Sequence, residues 1–308
     1  MKKNVFCFAA CLGLLLLTSA AFAQQGPDTG FESQGYIQKM DKGEINWQSG
    51  LARATGIGAP PENATNMAQA RAMALRAATV VARRNLLEVV KGVHIDSTTT
   101  VENYMVRNDL IVSKVRGFLQ NSQILNTRYM SDGSVEVEVG IGLRGGFANV
   151  LIPEETQFSE QAPKPNTTEP EPIQVKPDMQ DQGQEDSQLG IEAKDTAYTG
   201  LVVDASSLDA RPAMSPKILD EDGAEVYGSA MVSREYAIQQ GMAGYAKDMD
   251  KARSNPRVAN NPYQVEAVGT EGKANTNVVL SNEQANRLRS MADNVNFLEK
   301  CRVMIVLD

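Results

Sequence analysis

Apolar and polar positions recur along this chain in two rhythms. Between Asn66 and Lys91, Ala70, Ala74, Ala78 and Ala82 fall every fourth residue, with Met67, Leu75, Val81 and Val89 beside them and Gln69, Arg76 and Arg83 opposite. At about 100° per residue these alanines form one stripe, which predicts a long helix whose small buried side chains let a neighbouring backbone come close. Arg71 and Asn85 fall on the same face as a candidate polar pair. Arg71 is expected to snorkel from the first turn and Asn85 to satisfy a backbone group near the helix end. The second rhythm has period two. Val135, Val137, Val139 and Ile141 alternate with Glu136, Glu138, Gly140 and Gly142. With Ile124–Met130 and the turn Ser131-Asp132-Gly133-Ser134, this predicts a hairpin with one buried face and one face wet or paired with a partner.

The same reading extends to the rest of the chain. Residues 45–57 form an expected strand ending at Gly56 and Gly58, before the loop forced by Pro60-Pro61. Thr99 with Glu102 predicts a capping box and a second helix reaching Asn121. Further on, 200–205 and 302–307 are nearly continuous apolar runs, the mark of strands buried on both faces. A hairpin is expected around Asp220-Glu221-Asp222-Gly223. A helix over 233–253 is expected to break near Gly241-Met242-Ala243-Gly244, strands to lie at 264–268 and 277–280, and Ser281 with Gln284 to cap a last helix. The fold class is α+β, with two small sandwich-like modules, 44–152 and 197–308, each an antiparallel sheet covered by helices.

Residues 153–196 join them as a disordered acidic linker. Pro153, Pro163, Pro165, Pro170, Pro172 and Pro177 stand there among Glu, Gln, Asp and Thr, with too little apolar surface to offset the entropy of ordering. At the other end, Met1-Lys2-Lys3, an apolar run over 5–17 and Ala21-Phe22-Ala23 read as a signal peptide, 1–23, cleaved between Ala23 and Gln24 and followed by a flexible segment, 24–43. The protein is therefore expected to be exported, periplasmic or peripheral to the outer membrane, with no transmembrane segment in the mature chain. Cys7 and Cys11 would leave with the signal. Cys301 remains, expected to be buried as a small hydrophobe.

Composition narrows the chemistry. A net charge of −8 without a basic run disfavours nucleic acid, and one histidine cannot build a multi-histidine metal site. Gly140-Ile141-Gly142-Leu143-Arg144-Gly145 matches G-x-G-x-x-G, but too little chain follows before the linker for a dinucleotide site. Asp220, Asp222 and Gly223 resemble part of a calcium loop in a register that fails. His94 with Asp96 and Ser97 lies on too short an extended segment to make a triad. Asp204 and Asp308 end the two apolar strands and form a weak acid-pair candidate, should those strands be neighbours. No cofactor or metal is expected and no catalytic residue emerges.

Residues 50–143 resemble the LPP-twenty-like lipoprotein family and the related N-terminal domain of the flagellar assembly protein FlgT. The resemblance rests on Ala-Arg-Ala-Thr-Gly-Ile-Gly at 52–58, on 70–74 and 81–88, on Gly92-Val93 and on the 132–137 hairpin. It implies a non-enzymatic component of the bacterial cell envelope or flagellar basal body that assembles with protein partners, flagellar components or further copies of itself. The lipobox cysteine of that family is missing here. The alternative is a binding module for a cell-wall polymer or small ligand in the second module, around the Asn-rich stretch 255–261 near Tyr245 and Tyr263; a deep polar pocket there would favour it.

Overall fold

In the computed structural model, which describes residues 35–160, 198–292 and 297–308, the chain opens with β1 (Ile37–Met40), β2 (Gly43–Asn46) and β3 (Leu51–Gly58). The expected single strand over 45–57 is thus a hairpin. Asn46 Oδ1 accepts the amides of Gln48 and Ser49, each at 3.0 Å, and Gly50 takes φ +67°, a left-handed turn position that suits glycine. Pairing also starts earlier than residue 44, because β1 lies within the segment expected to be flexible.

Next comes α1 (Met67–Lys91), capped by the Asn66 side chain on the Gln69 amide. Ala70, Ala74, Ala78 and Ala82 are buried, as their spacing predicts. The strand beneath them answers with glycine. A methyl group at Gly56 would stand 2.2 Å from the Ala82 nitrogen, and one at Gly58 would stand 2.2 Å from the Ala74 carbonyl oxygen. Helix backbone therefore rests almost directly on strand backbone.

The following elements are α2 (Val101–Arg107), α3 (Asp109–Gln120), β4 (Gln123–Tyr129), β5 (Val135–Gly142) and α4 (Gly146–Leu151). The one helix expected after Thr99 is two. Thr100 caps the first, on the Asn103 amide. Asn108 then turns extended and caps the second, accepting from the amides of Leu110 and Ile111. The five strands form one antiparallel sheet in the order β1-β2-β3-β5-β4. α1 covers one face of β3 and β5, and the other face shows Arg53, Thr55, Ile57, Glu136 and Glu138.

The second half contains β6 (Gly200–Asp204), β7 (Ile218–Asp220), β8 (Glu225–Tyr227), α5 (Arg234–Gln240), β9 (Gly244–Ala246), α6 (Met249–Arg253), β10 (Pro262–Glu266), β11 (Gly269–Glu271), β12 (Asn277–Leu280), α7 (Asn282–Ala292) and β13 (Val303–Val306). Where a kinked helix over 233–253 was expected, Gly241 at φ +78° ends α5 and a strand follows before α6. The α+β class holds, but the sheets here are not simply antiparallel. β10-β6-β13-β9 is wholly parallel, and β11-β12-β7-β8 is mixed. The continuous apolar runs of β6 and β13 suit central parallel strands covered on both faces.

One buried cluster joins residues from both halves, among them Trp47, Ala78, Leu143 and Phe147 with Val203, Tyr245 and Ile305. The described residues all belong to a compact unit spanning Ser33–Asp308. Backbone hydrogen bonds cross between the halves, from Tyr36 N to Tyr245 O (3.2 Å), Gly145 N to Ile238 O (2.8 Å) and Met214 N to His94 O (3.0 Å). Residues 153–160, the expected start of the linker, are docked: Arg234 donates to the carbonyls of Ile152 and Pro153, and its guanidinium lies 5.5 Å over the Phe158 ring. The Ala23–Gln24 junction, Cys7, Cys11 and residues 161–197 lie outside the described residues. Among those described, no helix is long and apolar enough to cross a membrane.

Candidate functional site

Several residues singled out from the sequence prove to serve local structure. Asn85 Nδ2 donates to the Thr55 carbonyl at 2.7 Å, fastening α1 to β3. Arg71 is exposed in the first turns of the helix. Fourteen residues separate the two, about 21 Å along a helix, so they do not act as a pair. Asp96 Oδ1 accepts from Thr98 N, Thr98 Oγ1 and Thr99 N at 2.7 to 2.9 Å, an arrangement that folds the 96–99 turn. Asp220 is the buried base of the β7–β8 turn. It accepts from the amides of Asp222 and Ala224, and Arg289 stands 2.7 Å away, which holds its carboxyl below the usual range.

The condition set for the acid pair is met in part. β6 and β13 are parallel neighbours with Asp204 opposite Val306, so Asp204 and Asp308 lie at the same edge of the sheet. Asp204 Oδ1, however, accepts from Ser206 N (3.0 Å) and Ser206 Oγ (2.7 Å), which is a turn contact, and Asp308 is exposed. Among the described residues, no group of three or more His, Cys, Asp or Glu could hold a metal ion.

The feature that stands out is a cleft of about 350 Å³ where the two halves meet. Arg144 and Arg257 line it, with the carboxamides of Gln48, Gln239, Gln240 and Asn255, and with Tyr245 and Met304. Each arginine is placed by its own half. Arg144 follows β5 and donates through Nη2 to the carbonyls of Trp47 (3.2 Å) and Gln48 (2.8 Å) in the β2–β3 turn. Arg257 follows α6 and donates through Nη1 to the carbonyls of Gly241 (3.0 Å) and Cys301 (2.7 Å), and through Nη2 to that of Gln240. Both side chains approach Gly241: Arg257 Nη1 donates to its carbonyl at 3.0 Å, and a methyl group at that glycine would stand 3.8 Å from Arg144 Nε.

These contacts fix both side chains without neutralising them. Among the described residues every partner is a carbonyl oxygen, and no Asp or Glu lines the cleft. Burial and, after it, the charge of Arg257 push the Arg144 pKa down to about 10, so it stays charged at neutral pH. Burial lowers that of Arg257 as well. A guanidinium offers five N–H donors, so both retain donors beyond these carbonyls. Two fixed, uncompensated positive charges walled by amides can receive an oxyanion through charge-assisted hydrogen bonds.

Behind the cleft the polar groups are already satisfied. The Tyr245 hydroxyl donates to Ala213 O (2.8 Å) and accepts from Ala213 N (3.0 Å), and its ring meets Trp47 edge to face at 5.4 Å. The Tyr227 hydroxyl donates to Met242 O at 2.6 Å. Cys301 is buried and free, and burial raises its thiol pKa to about 11. Tyr263, which follows the Asn-rich stretch, packs edge to face with Tyr198 at 5.0 Å and is not part of the cleft lining.

Of the two arginines, Arg257 sits inside the Asn-rich stretch already read as a possible pocket wall, and Arg144 sits inside the rejected G-x-G-x-x-G match. Neither context marks its arginine as a ligand-binding residue. No local signal pairs them, because 113 positions separate two side chains that only the closed fold brings to one glycine.

Residues 200–308 are similar to the second domain of Treponema pallidum Tp0624, whose family model they match. No curated protein matches the chain. The matching segment runs from β6 to β13. It therefore contains Arg257 but not Arg144, which belongs to the half that completes the cleft.

Proposed function

We propose that this protein is a non-enzymatic, exported component of the bacterial cell envelope that binds an oxyanion-bearing ligand in the cleft between its halves. The observation that carries this reading is the pair Arg144 and Arg257, held in place by carbonyls and, among the described residues, without a carboxylate beside them. A cleft of this size falls in the range of small-ligand sites, and its amide lining suits the polar body of a sugar or peptide carrying the anionic group. The envelope assignment rests on the signal-like N-terminus and on the resemblance over 50–143. Titration calorimetry with sulfate and phosphate, at constant ionic strength against chloride, tests the binding: saturable heat is expected from the wild type, and at least tenfold weaker binding from Arg257→Gln. Osmotic-shock fractionation of cells tests the location.

A second reading, assembly with protein partners, is favoured by β4. It is an outer strand of the five-stranded sheet, and Ile124, Leu125 and Tyr129 on it are 52%, 40% and 58% exposed. An outer strand with exposed apolar side chains can pair with another chain, whether a flagellar component or a second copy. Cross-linking from β4 in cells, followed by identification of the adduct, would separate those partners.

A further inference from the structure

The two arginines differ in origin: one is anchored only to the first half and the other only to the second. Arg144 is held by Trp47 and Gln48, and Arg257 by Gln240, Gly241 and Cys301. No contact between the two side chains offsets their like charge. A ligand with a single negative charge can neutralise one of them and leaves the other exposed to its neighbour. A ligand with two negative charges, on one group or on two adjoining groups, can neutralise both across Gly241.

We infer that the cleft selects doubly charged oxyanions over singly charged ones, the ligand bridging Arg144 of the first half and Arg257 of the second. This rests on the anion-binding reading and adds to it the charge class of the ligand. A phosphoryl group and a pair of carboxylates share that chemistry. Two features of the site argue against a nonspecific surface effect. Both arginines are half-buried residues, so salt screens them less than exposed charges. Both are also fixed by at least two hydrogen bonds before any ligand arrives, so little side-chain entropy remains to be lost.

The test is a titration series on the full chain at constant ionic strength, with acetate, succinate, sulfate and inorganic phosphate. Phosphate is measured at pH 5.5, where it is mainly a monoanion, and at pH 8, where it is mainly a dianion. Sulfate is a dianion at both and serves as the control for any pH effect on the protein. We expect succinate and sulfate to bind at least tenfold tighter than acetate. Phosphate should gain a comparable factor between pH 5.5 and pH 8 while sulfate changes less than twofold. Comparing succinate with phosphate at pH 8 then separates a two-carboxylate ligand from a phosphoryl one. In Arg144→Gln the dianion preference should fall toward unity while acetate binding changes little, and Arg144→Lys should keep most of the preference. Saturable binding with equal affinity for acetate and sulfate would overturn the bridging inference and leave the anion site standing. The absence of saturable binding by every anion, in a wild-type protein that unfolds cooperatively, would overturn both.

Discussion

Single atoms decide much of this protein's stability. The approach of α1 to β3 leaves room for hydrogen and nothing larger at Gly56, where an added carbon meets helix backbone, which cannot rotate away. Gly56→Val should therefore destabilise the protein by about 3 kcal/mol or more, read as a shift of the urea midpoint without a change of slope. His94 gives a different kind of signature. Burial lowers its pKa, the charge of Arg211 lowers it further, and Asp96 opposes both. As pH falls through 6.5 the unfolded chain takes up the proton more readily than the native one, so stability should drop on acidification. His94→Gln should flatten that part of the pH profile of the melting temperature. Cys301 acts at the other end. Its native thiol holds its proton to about pH 11, whereas the unfolded thiol loses it near 9. The stability it contributes is therefore lost as pH rises through that window, and Cys301→Ala should remove this contribution. At neutral pH the native thiol should resist alkylation until the chain unfolds.

Among the elements, helices were legible where their signal was local. The Ala70–Ala82 stripe with Asn66 before it specified α1 to within a residue, and the Asp132-Gly133 turn specified the β4–β5 hairpin. The errors have physical causes. The 99–121 segment is periodic throughout, yet Asn108 interrupts it because its side chain can cap the next helix more favourably than its backbone can continue the first. Asn108→Ala should cost about 1 kcal/mol, and helical content by circular dichroism should fall with it. The residues 244–246 are too few to carry a strand signal. They are a strand because β13 lies beside them, and that pairing partner stands 60 residues away in the sequence. Parallel pairing in general leaves no turn motif for the eye to catch.

On the scale of the whole molecule, sequence periodicity described a mixture of helices and strands but neither the parallel sheet of the second half nor the surface between the halves. Trp47, Leu143 and Tyr245 stand far apart along the chain, and nothing in their spacing announces the shared core that holds all three. The twin-arginine cleft is a property of that junction, and so it was invisible for the same reason. Its chemistry, by contrast, was half legible: the Asn255–Asn261 stretch pointed to a polar wall, and Arg257 stands within it. If the junction is the working part of the protein, Ala243→Trp, placed beside Trp47 in the seam between the halves, should weaken anion binding although Ala243 does not line the cleft. Calorimetry with sulfate would show it, with circular dichroism to confirm that both halves remain folded.

The position of β13 has a further consequence, for the order of events during synthesis. It follows every other described strand along the sequence, yet it occupies the interior of the parallel sheet, between β6 and β9. Until residues 303–306 leave the ribosome, β6 and β9 each present an unpaired apolar edge, and about 100 residues separate β6 from the strand that completes it. The nascent chain must therefore carry these segments unprotected, which exposes it to aggregation and gives a holding chaperone time to act.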